Sequence, residues 1–322
     1  MEYRELGESG LSASAITFGA WAIGGWMWGG AERKDAVEAI RASYDHGVTS
    51  IDTAPIYGQG LSEEIVGEAL KGISRDKVQI MTKYGMRWDE QKGEFGFRSQ
   101  DNEGRPLEVY KYAGKDSIVK ECEDSLRRLR TDHIDLYQIH WPDSTTPVEE
   151  TMEAVGQLLK QGKIRAAGVS NYNAELMSRA EETLHLASDQ VPFSMVNRDI
   201  EKELMPLCAR EGVGILPYFP LASGFLTGKY RTNADKTKSV RGSGAVKHLD
   251  GKGKPVLAAL DAVAARHGAT CAQVALAWVM AKPAIAAPIA SATSVAQVTE
   301  LMGALELKLT AADVAELDKA SA

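Results

Sequence analysis

Short apolar runs alternate with amphipathic stretches from one end of the chain to the other. The runs AITFG (15–19), TSIDT (49–53), VQIMTK (78–83), IDLYQIH (134–140), IRAAGVS (164–170), QVPFS (190–194), VGILPY (213–218) and AIAAPI (284–289) have the length and composition of buried strands. Between them, helical windows cover 33–46, 62–71, 116–129, 148–161, 174–186, 201–210, 256–281 and 294–304, the seventh being long enough for two helices. Strands apolar on both faces and separated by helices belong to a parallel sheet with crossover connections. Eight such units predict an α/β fold: a single closed (β/α)8 TIM barrel over residues 1–322 rather than an open sheet. No Gly-x-Gly-x-x-Gly follows a strand, which removes the main support for a doubly wound dinucleotide fold. The opening YRELGESGLSASAI reads as a β-hairpin that plugs the bottom of the barrel.

Two connections are too long for simple turns. The segment 84–115 carries Trp88, Phe95, Phe97, Tyr110 and Tyr112, leaves the same face as Lys83, and is expected to border a substrate pocket. The segment 229–254 holds eight Lys or Arg against Asp235 and Asp250, a local +6 on a chain of net charge −7. That contrast predicts a cationic flap for a phosphorylated ligand.

The composition, 44% hydrophobic and 25% charged over 322 residues, is ordinary for a globular protein. The acidic balance argues against nucleic acid or an anionic membrane as a partner. Cys122, Cys208 and Cys271 are scattered without a CxxC pairing, as in a reduced, cytoplasmic protein. MEYRELGESG has no apolar stretch of a secretory leader, and no 18-residue apolar run predicts a membrane span. Neither a metal-binding spacing nor a Gly-x-Ser-x-Gly elbow is present. Oligomeric state is left open.

In a barrel of this kind chemistry gathers at the C-terminal ends of the strands. Strands two, three and four end in Asp52 (with Tyr57 just beyond), Lys83 and His140. Singly, each has an ordinary structural use; together at three successive strand ends they make chemical sense. A phenol releases its proton near pH 10, and a neighbouring ammonium favours the phenolate. Asp52 can hold Lys83 charged in a partly dry pocket, and His140 can hydrogen-bond a carbonyl or relay a proton. The set is a general acid aimed at a carbonyl oxygen, and it needs a hydride donor from outside.

At this point the chain resembles the aldo-keto reductase family over nearly its whole length. IDTAPIYGQGLSEEIVGEAL, IMTK, DLYQIHWPD, GKIRAAGVSNY and PYFPLASGFLTGKY are similar to successive family motifs, in order. The resemblance implies a catalytic tetrad of Asp52, Tyr57, Lys83 and His140, with Tyr57 as proton donor. It also implies that Ser170, Asn171 and Gln190 bind a nicotinamide carboxamide and that Tyr218 stacks on its ring. Leu221, Ser223, Gly224, Leu226, Thr227, Gly228 and Lys229 match the pyrophosphate belt. In IASATSVAQ and beyond, Ser291, Thr293, Gln297 and Glu300 would meet the adenosine end. Here the chain departs from the family's NADPH-using pattern, because Thr293 and Gln297 stand at the usual basic positions and Leu301 follows Glu300. NADP(H) is therefore expected to be preferred by a reduced margin, with NAD(H) usable. Trp21, Trp26 and Trp28 after strand one, with Trp88 and Trp141, are expected to wall the substrate pocket. The expected activity is reversible reduction of aldehydes, ketones or keto-sugars to alcohols. The alternatives are a cofactor-sensing binding protein on the same fold and, last, a lyase forming a Schiff base on Lys83.

Overall fold

The computed structural model describes all residues 1–322. Its strands are β1 (Tyr3–Glu5), β2 (Ser12–Ser14), β3 (Thr17–Gly19), β4 (Ser50–Asp52), β5 (Gln79–Tyr84), β6 (Met86–Arg87), β7 (Glu94–Gln100), β8 (Pro106–Lys111), β9 (Ile134–Ile139), β10 (Ile164–Ser170), β11 (Ser188–Gln190), β12 (Gly214–Ile215) and β13 (Ile289–Ala290). The helices are α1 (Arg33–Asp45), α2 (Leu61–Ala69), α3 (Lys115–Leu129), α4 (Val148–Lys160), α5 (Ala174–Thr183), α6 (Leu204–Glu211), α7 (Gly242–Ala245), α8 (Gly253–His267), α9 (Cys271–Met280), α10 (Val295–Met302) and α11 (Ala311–Ser321).

Eight of the strands form one parallel sheet in the order β12-β11-β10-β9-β5-β4-β3-β13. Backbone hydrogen bonds then bring its two edges together. Ile215 N–H meets Ala284 O at 2.8 Å, Ala286 N–H meets Ile215 O at 2.9 Å, and Ile289 N–H meets Pro217 O at 2.8 Å. The sheet curls into a (β/α)8 barrel.

The two-residue period of a strand decides what enters the barrel. On β5, Ile80 packs under the helices and Thr82 donates to Glu63 of α2, while Met81 and Lys83 point to the axis. On β9, Leu136 and Gln138 point inward and Tyr137 and Ile139 outward. The inward residues thus form layers, apolar at the N-terminal end and polar at the other. Leu6 and Ala13 of the β1–β2 hairpin join Met81, Leu136, Ala166, Ala187 and Leu216 in the lower layer, so the hairpin closes the barrel bottom.

Several expected elements shift. Strand six lies at 188–190, ending where QVPFS (190–194) was expected to begin. Its inward Ser188 and Gln190 are polar but bonded, to Gln138 and Asp52 respectively, and Pro192 has no N–H for a ladder. Strands seven and eight shrink to 214–215 and 289–290, flanking Pro217 and Pro288. The window 256–281 breaks after Gly268, whose left-handed φ of +61° ends α8, and the Thr270–Gln273 capping box then starts α9.

Neither long connection is structureless. Segment 84–115 contains an antiparallel sheet in the order β6-β8-β7. Segment 229–254 folds into a 3-10 turn at Asn233–Lys238, α7 and a second 3-10 turn at Val246–Leu249.

Leu6 is fully buried in the lower layer. Leu6→Ala is expected to cost about 2–5 kcal/mol through lost contacts and a residual cavity. The readout is the urea midpoint; a midpoint equal to the wild type's would mean that the hairpin is not part of the barrel core.

Candidate active site

A cavity of about 520 Å³ opens at the C-terminal ends of the strands, a size usual for ligand and cofactor sites. The turn after β4 brings Tyr57 to it. Tyr57 N–H bonds to Ala54 O at 3.1 Å, Gly60 N–H to Pro55 O at 2.7 Å, and Ser62 Oγ ties the turn to Ala20 O at 2.8 Å. The Tyr57 ring is 6% exposed, and its hydroxyl makes no hydrogen bond to protein. Trp21 stacks on it at 5.3 Å with an interplanar angle of 11°, and His140 meets it edge-on at 5.6 Å.

Lys83 lies beneath the cavity floor, fully buried. Its Nζ donates to Asp52 Oδ1 at 2.7 Å, Asp52 Oδ2 at 2.9 Å and Thr53 O at 3.0 Å, which uses all three ammonium protons. Gln190 Nε2 adds a bond to Asp52 Oδ2 at 2.8 Å. The ammonium stands 5.2 Å from the centre of the Tyr57 ring.

The electrostatics differ from expectation in one respect. Burial, reinforced by Asp52 and Tyr218, holds the Tyr57 phenol well above its usual range. The ammonium that should lower it is paired with Asp52, so the pair presents little net charge to the phenol. Burial pulls Lys83 below its ordinary value against the opposing pull of Asp52. Burial, then Lys83, holds His140 well below the usual imidazole range. The cavity therefore presents a protonated phenol and a neutral imidazole.

Along the next wall, the side chains form a chain of bonds. Ser170 Oγ donates to Gln190 O at 2.7 Å, Asn171 Nδ2 donates to His140 O at 3.0 Å, and Tyr218 Oη donates to Asn171 Oδ1 at 2.7 Å. Asn171 adopts a left-handed φ of +60°, a conformation asparagine tolerates. Its amide is fully engaged, whereas the Gln190 side-chain oxygen has no protein donor.

Of the other residues singled out in the sequence, Trp21, Trp28, Trp141, Leu221, Ser223, Gly224, Thr227, Lys229, Ser291, Gln297 and Glu300 line the cavity. Leu226, Gly228 and Thr293 do not. Thr293 N–H bonds to the Gln297 side-chain oxygen at 2.9 Å. Trp26 and Trp88 stand apart from the expected substrate wall. Trp26 is buried against Phe97 and donates to Gln100 O at 3.1 Å, and Trp88 packs on the same cluster. No residue of 84–115 reaches the cavity. Its apolar face backs the turn of Tyr57 instead.

The cationic flap is also narrower than its charge suggested. Arg231 is bonded to Asp261, Lys238 to Asp235, and neither lines the cavity; nor does Lys236. Lys229 and Arg241 do line it, Arg241 lying 5.1 Å over the Trp28 ring, and neither has a carboxylate partner. Phe219, packed against Trp21 and Trp28, was missed because a residue inside a Pro-flanked turn carries no periodic signal.

The model of the aldo/keto reductase family matches residues 15–322. The chain belongs to this family. Its aldo/keto reductase relatives include YhdN of Bacillus subtilis (strain 168), 43% identical over 230 residues, 71% of this chain and 65% of that protein. The NADH-specific methylglyoxal reductase of Escherichia coli (strain K12) is 34% identical over 96% of this chain and 94% of its own length. Among solved structures, a glycerol dehydrogenase from Gluconobacter oxydans is similar with a TM-score of 0.85 at 34% identity, covering 99% of this chain and 94% of that one. As an aldo/keto reductase, the chain is an oxidoreductase of the nicotinamide-dependent kind. No helix is long and apolar enough to cross a membrane.

Two titrations follow from the directions above. Without added cofactor, wild-type minus Tyr57→Phe difference absorbance should show no phenolate below pH about 10; a midpoint near neutrality would contradict the dominance of burial. The folded pKa of His140 lies below the unfolded value near 6.5. Its contribution to stability is therefore full above that pH and is lost as pH falls toward the folded value. Between pH 7 and 5 the urea midpoint of His140→Gln should fall less than that of the wild type.

Proposed function

We propose that the chain interconverts aldehydes or ketones and alcohols, with Tyr57 as the general acid and base. The observation that carries this is the Tyr57 phenol, protonated and free of protein partners, facing the cavity beside the Lys83–Asp52 pair and His140. In reduction, Tyr57 gives its proton to the substrate oxygen as that oxygen gains charge. The phenolate left behind is stabilised by the ammonium 5.2 Å from the ring centre. Neutral His140 can donate a hydrogen bond to the same oxygen and orient the carbonyl. Trp21, Trp28, Trp141 and Phe219 offer apolar walls for the rest of a small substrate, keto-sugars included.

The residues present fit a nicotinamide cofactor. The free Gln190 oxygen can accept from its carboxamide, the Tyr218 ring can lie against the pyridine, and Lys229 and Arg241 can meet its phosphates. When bound, the cofactor supplies or accepts the hydride. A Schiff base on Lys83 finds no support, since the amine is sealed off and its protons are all engaged.

Our reading of cofactor preference is NADPH by a modest margin, with NADH usable. Lys229 and Arg241 favour a phosphate-rich ligand, while Gln297 offers no charge and Glu300 adds a negative one. A relative specific for NADH is in keeping with so narrow a margin.

The test is a panel of aldehydes, ketones and keto-sugars assayed with both cofactors in both directions. Tyr57→Phe should lower kcat by about 10²-fold or more, the usual worth of a general acid, with cofactor Kd little changed. Asp52→Asn should lower kcat less, although it leaves Lys83 buried without its counter-ion and so destabilises the fold by about 3–5 kcal/mol. Wild-type turnover in Tyr57→Phe would remove that residue from the mechanism. Cofactor binding by a wild-type protein inactive across the panel would favour the sensing alternative.

Fluorescence quenching at fixed ionic strength tests the cofactor reading. Arg241→Gln should weaken both cofactors, NADPH more than NADH, and Gln297→Arg should tighten NADPH alone. Tighter binding of NADH than NADPH by the unmodified protein would reverse the preference.

A further inference from the structure

We propose that Asn102, at the tip of the β7–β8 hairpin, is a positioning residue for the Tyr57 proton donor. The proposal rests on the reading of Tyr57 given above. It starts from a gap in that site: the Tyr57 hydroxyl has no protein partner, so only its ring packing and its backbone turn fix where the proton is offered.

The hairpin contacts that turn from behind. Met86 and Val109 share an apolar cluster with Trp26, Ala54, Ile56 and Tyr57, and Phe97 and Leu107 pack against it. Apolar packing of this kind sets distance but tolerates sliding. Directional bonds are needed to fix register, and the hairpin tip provides them.

Asn102 is otherwise exposed, but its Nδ2 donates to Gly24 O at 2.9 Å. One position earlier, Asp101 preforms the tip. Its Oδ1 accepts from Glu103 N–H at 3.0 Å and Arg105 N–H at 2.9 Å, a local side-chain turn. A second tie runs the other way, from Trp26 Nε1 to Gln100 O at 3.1 Å. Asn102 and Trp26 therefore lock the hairpin to the loop that follows β3, the loop carrying Trp21 and Trp28.

That loop is pressed directly onto the turn of the tyrosine. A Cβ on Gly24 would stand 2.8 Å from Tyr57 O, and one on Gly58 would stand 2.2 Å from Gly24 O and 3.2 Å from Asn102 Nδ2. Only glycines allow these two backbone segments to meet so closely with the Asn102 amide beside them. The carbonyl that Asn102 holds is thus the surface on which Gly58 rests, one residue beyond Tyr57. Loss of the bond frees the Gly24 peptide, and the ring of Tyr57 loses its fixed support together with the stacked Trp21.

Asn102→Ala removes the donor, and Asn102→Asp sets a carboxylate against the Gly24 carbonyl. Two arms read the result in the full-length protein. In hydrogen exchange followed by mass spectrometry, amides of 20–29 and 54–60 should exchange about three- to tenfold faster, Asp more than Ala, with the rest of the barrel unchanged. In turnover, kcat should fall about tenfold or more with a smaller rise in the carbonyl KM, since Trp21 also walls the pocket, while the NADPH Kd stays within about twofold, because displacement of the acid touches chiefly the chemical step. A lower melting temperature with wild-type kcat would make Asn102 merely structural and overturn the proposal. Unchanged exchange at 54–60 would overturn it as well. If the wild-type protein reduces no carbonyl, the functional reading fails, and the exchange arm still decides whether Asn102 holds the turn.

Discussion

Everything at the mouth of this barrel is arranged around the buried ion pair of Lys83 and Asp52. An ammonium and a carboxylate removed from water are tolerated only when nearly every proton and lone pair finds a partner. Here Lys83 has three acceptors, and Asp52 takes a further bond from Gln190, which comes from the far side of the barrel. The pair therefore links β4 and β5, which are neighbours, to β11, which is not. It also sets the chemistry above it. Burial keeps the phenol a protonated acid, the nearly cancelling charges of the pair do little to oppose it, and the ammonium contributes most when that phenol has given its proton away.

The site could be read from the sequence where a strict period governed it. Alternation along β5 and β9 carries Lys83 and His140 to the upper end of the axis once Met81 and Leu136 are placed below, and the strand ends supply Asp52 and Tyr57. The sequence reading failed where side chains break the rule that buried means apolar. Ser188 and Gln190 are inward and polar because they are bonded to Gln138 and Asp52 across the barrel, so the apolar residues after them looked more strand-like than β11 itself. Trp26 illustrates a different limit. In a glycine-rich loop no period exists, and nothing in the spacing of three tryptophans tells which one turns away from the cavity.

Charge counting was informative in bulk and misleading in detail. The +6 of residues 229–254 is real, yet Arg231 and Lys238 are engaged with carboxylates, and only Lys229 and Arg241 face the cavity. A net charge registers what a segment carries, whereas a binding site depends on what it leaves unpaired. Similarly, the aromatic residues Trp88, Phe95, Phe97, Tyr110 and Tyr112 suggested a substrate wall, yet their segment forms a separate small sheet with its own apolar face.

The neck of that sheet has an implication for how the fold can vary. Tyr112 N–H bonds to Gly85 O at 3.1 Å, and Met86 pairs with Lys111, so the chain leaves β5 and returns to α3 at nearly one point. A hairpin entered and left through a closed neck does not pull on the strand and helix that flank it when residues are added or removed beyond it. Strand register and helix docking on either side are indifferent to its length. The barrel can thus accept new sequence in this segment without reopening, while the ties of Asn102 and Trp26 limit such changes to those that keep the hairpin on the turn of Tyr57.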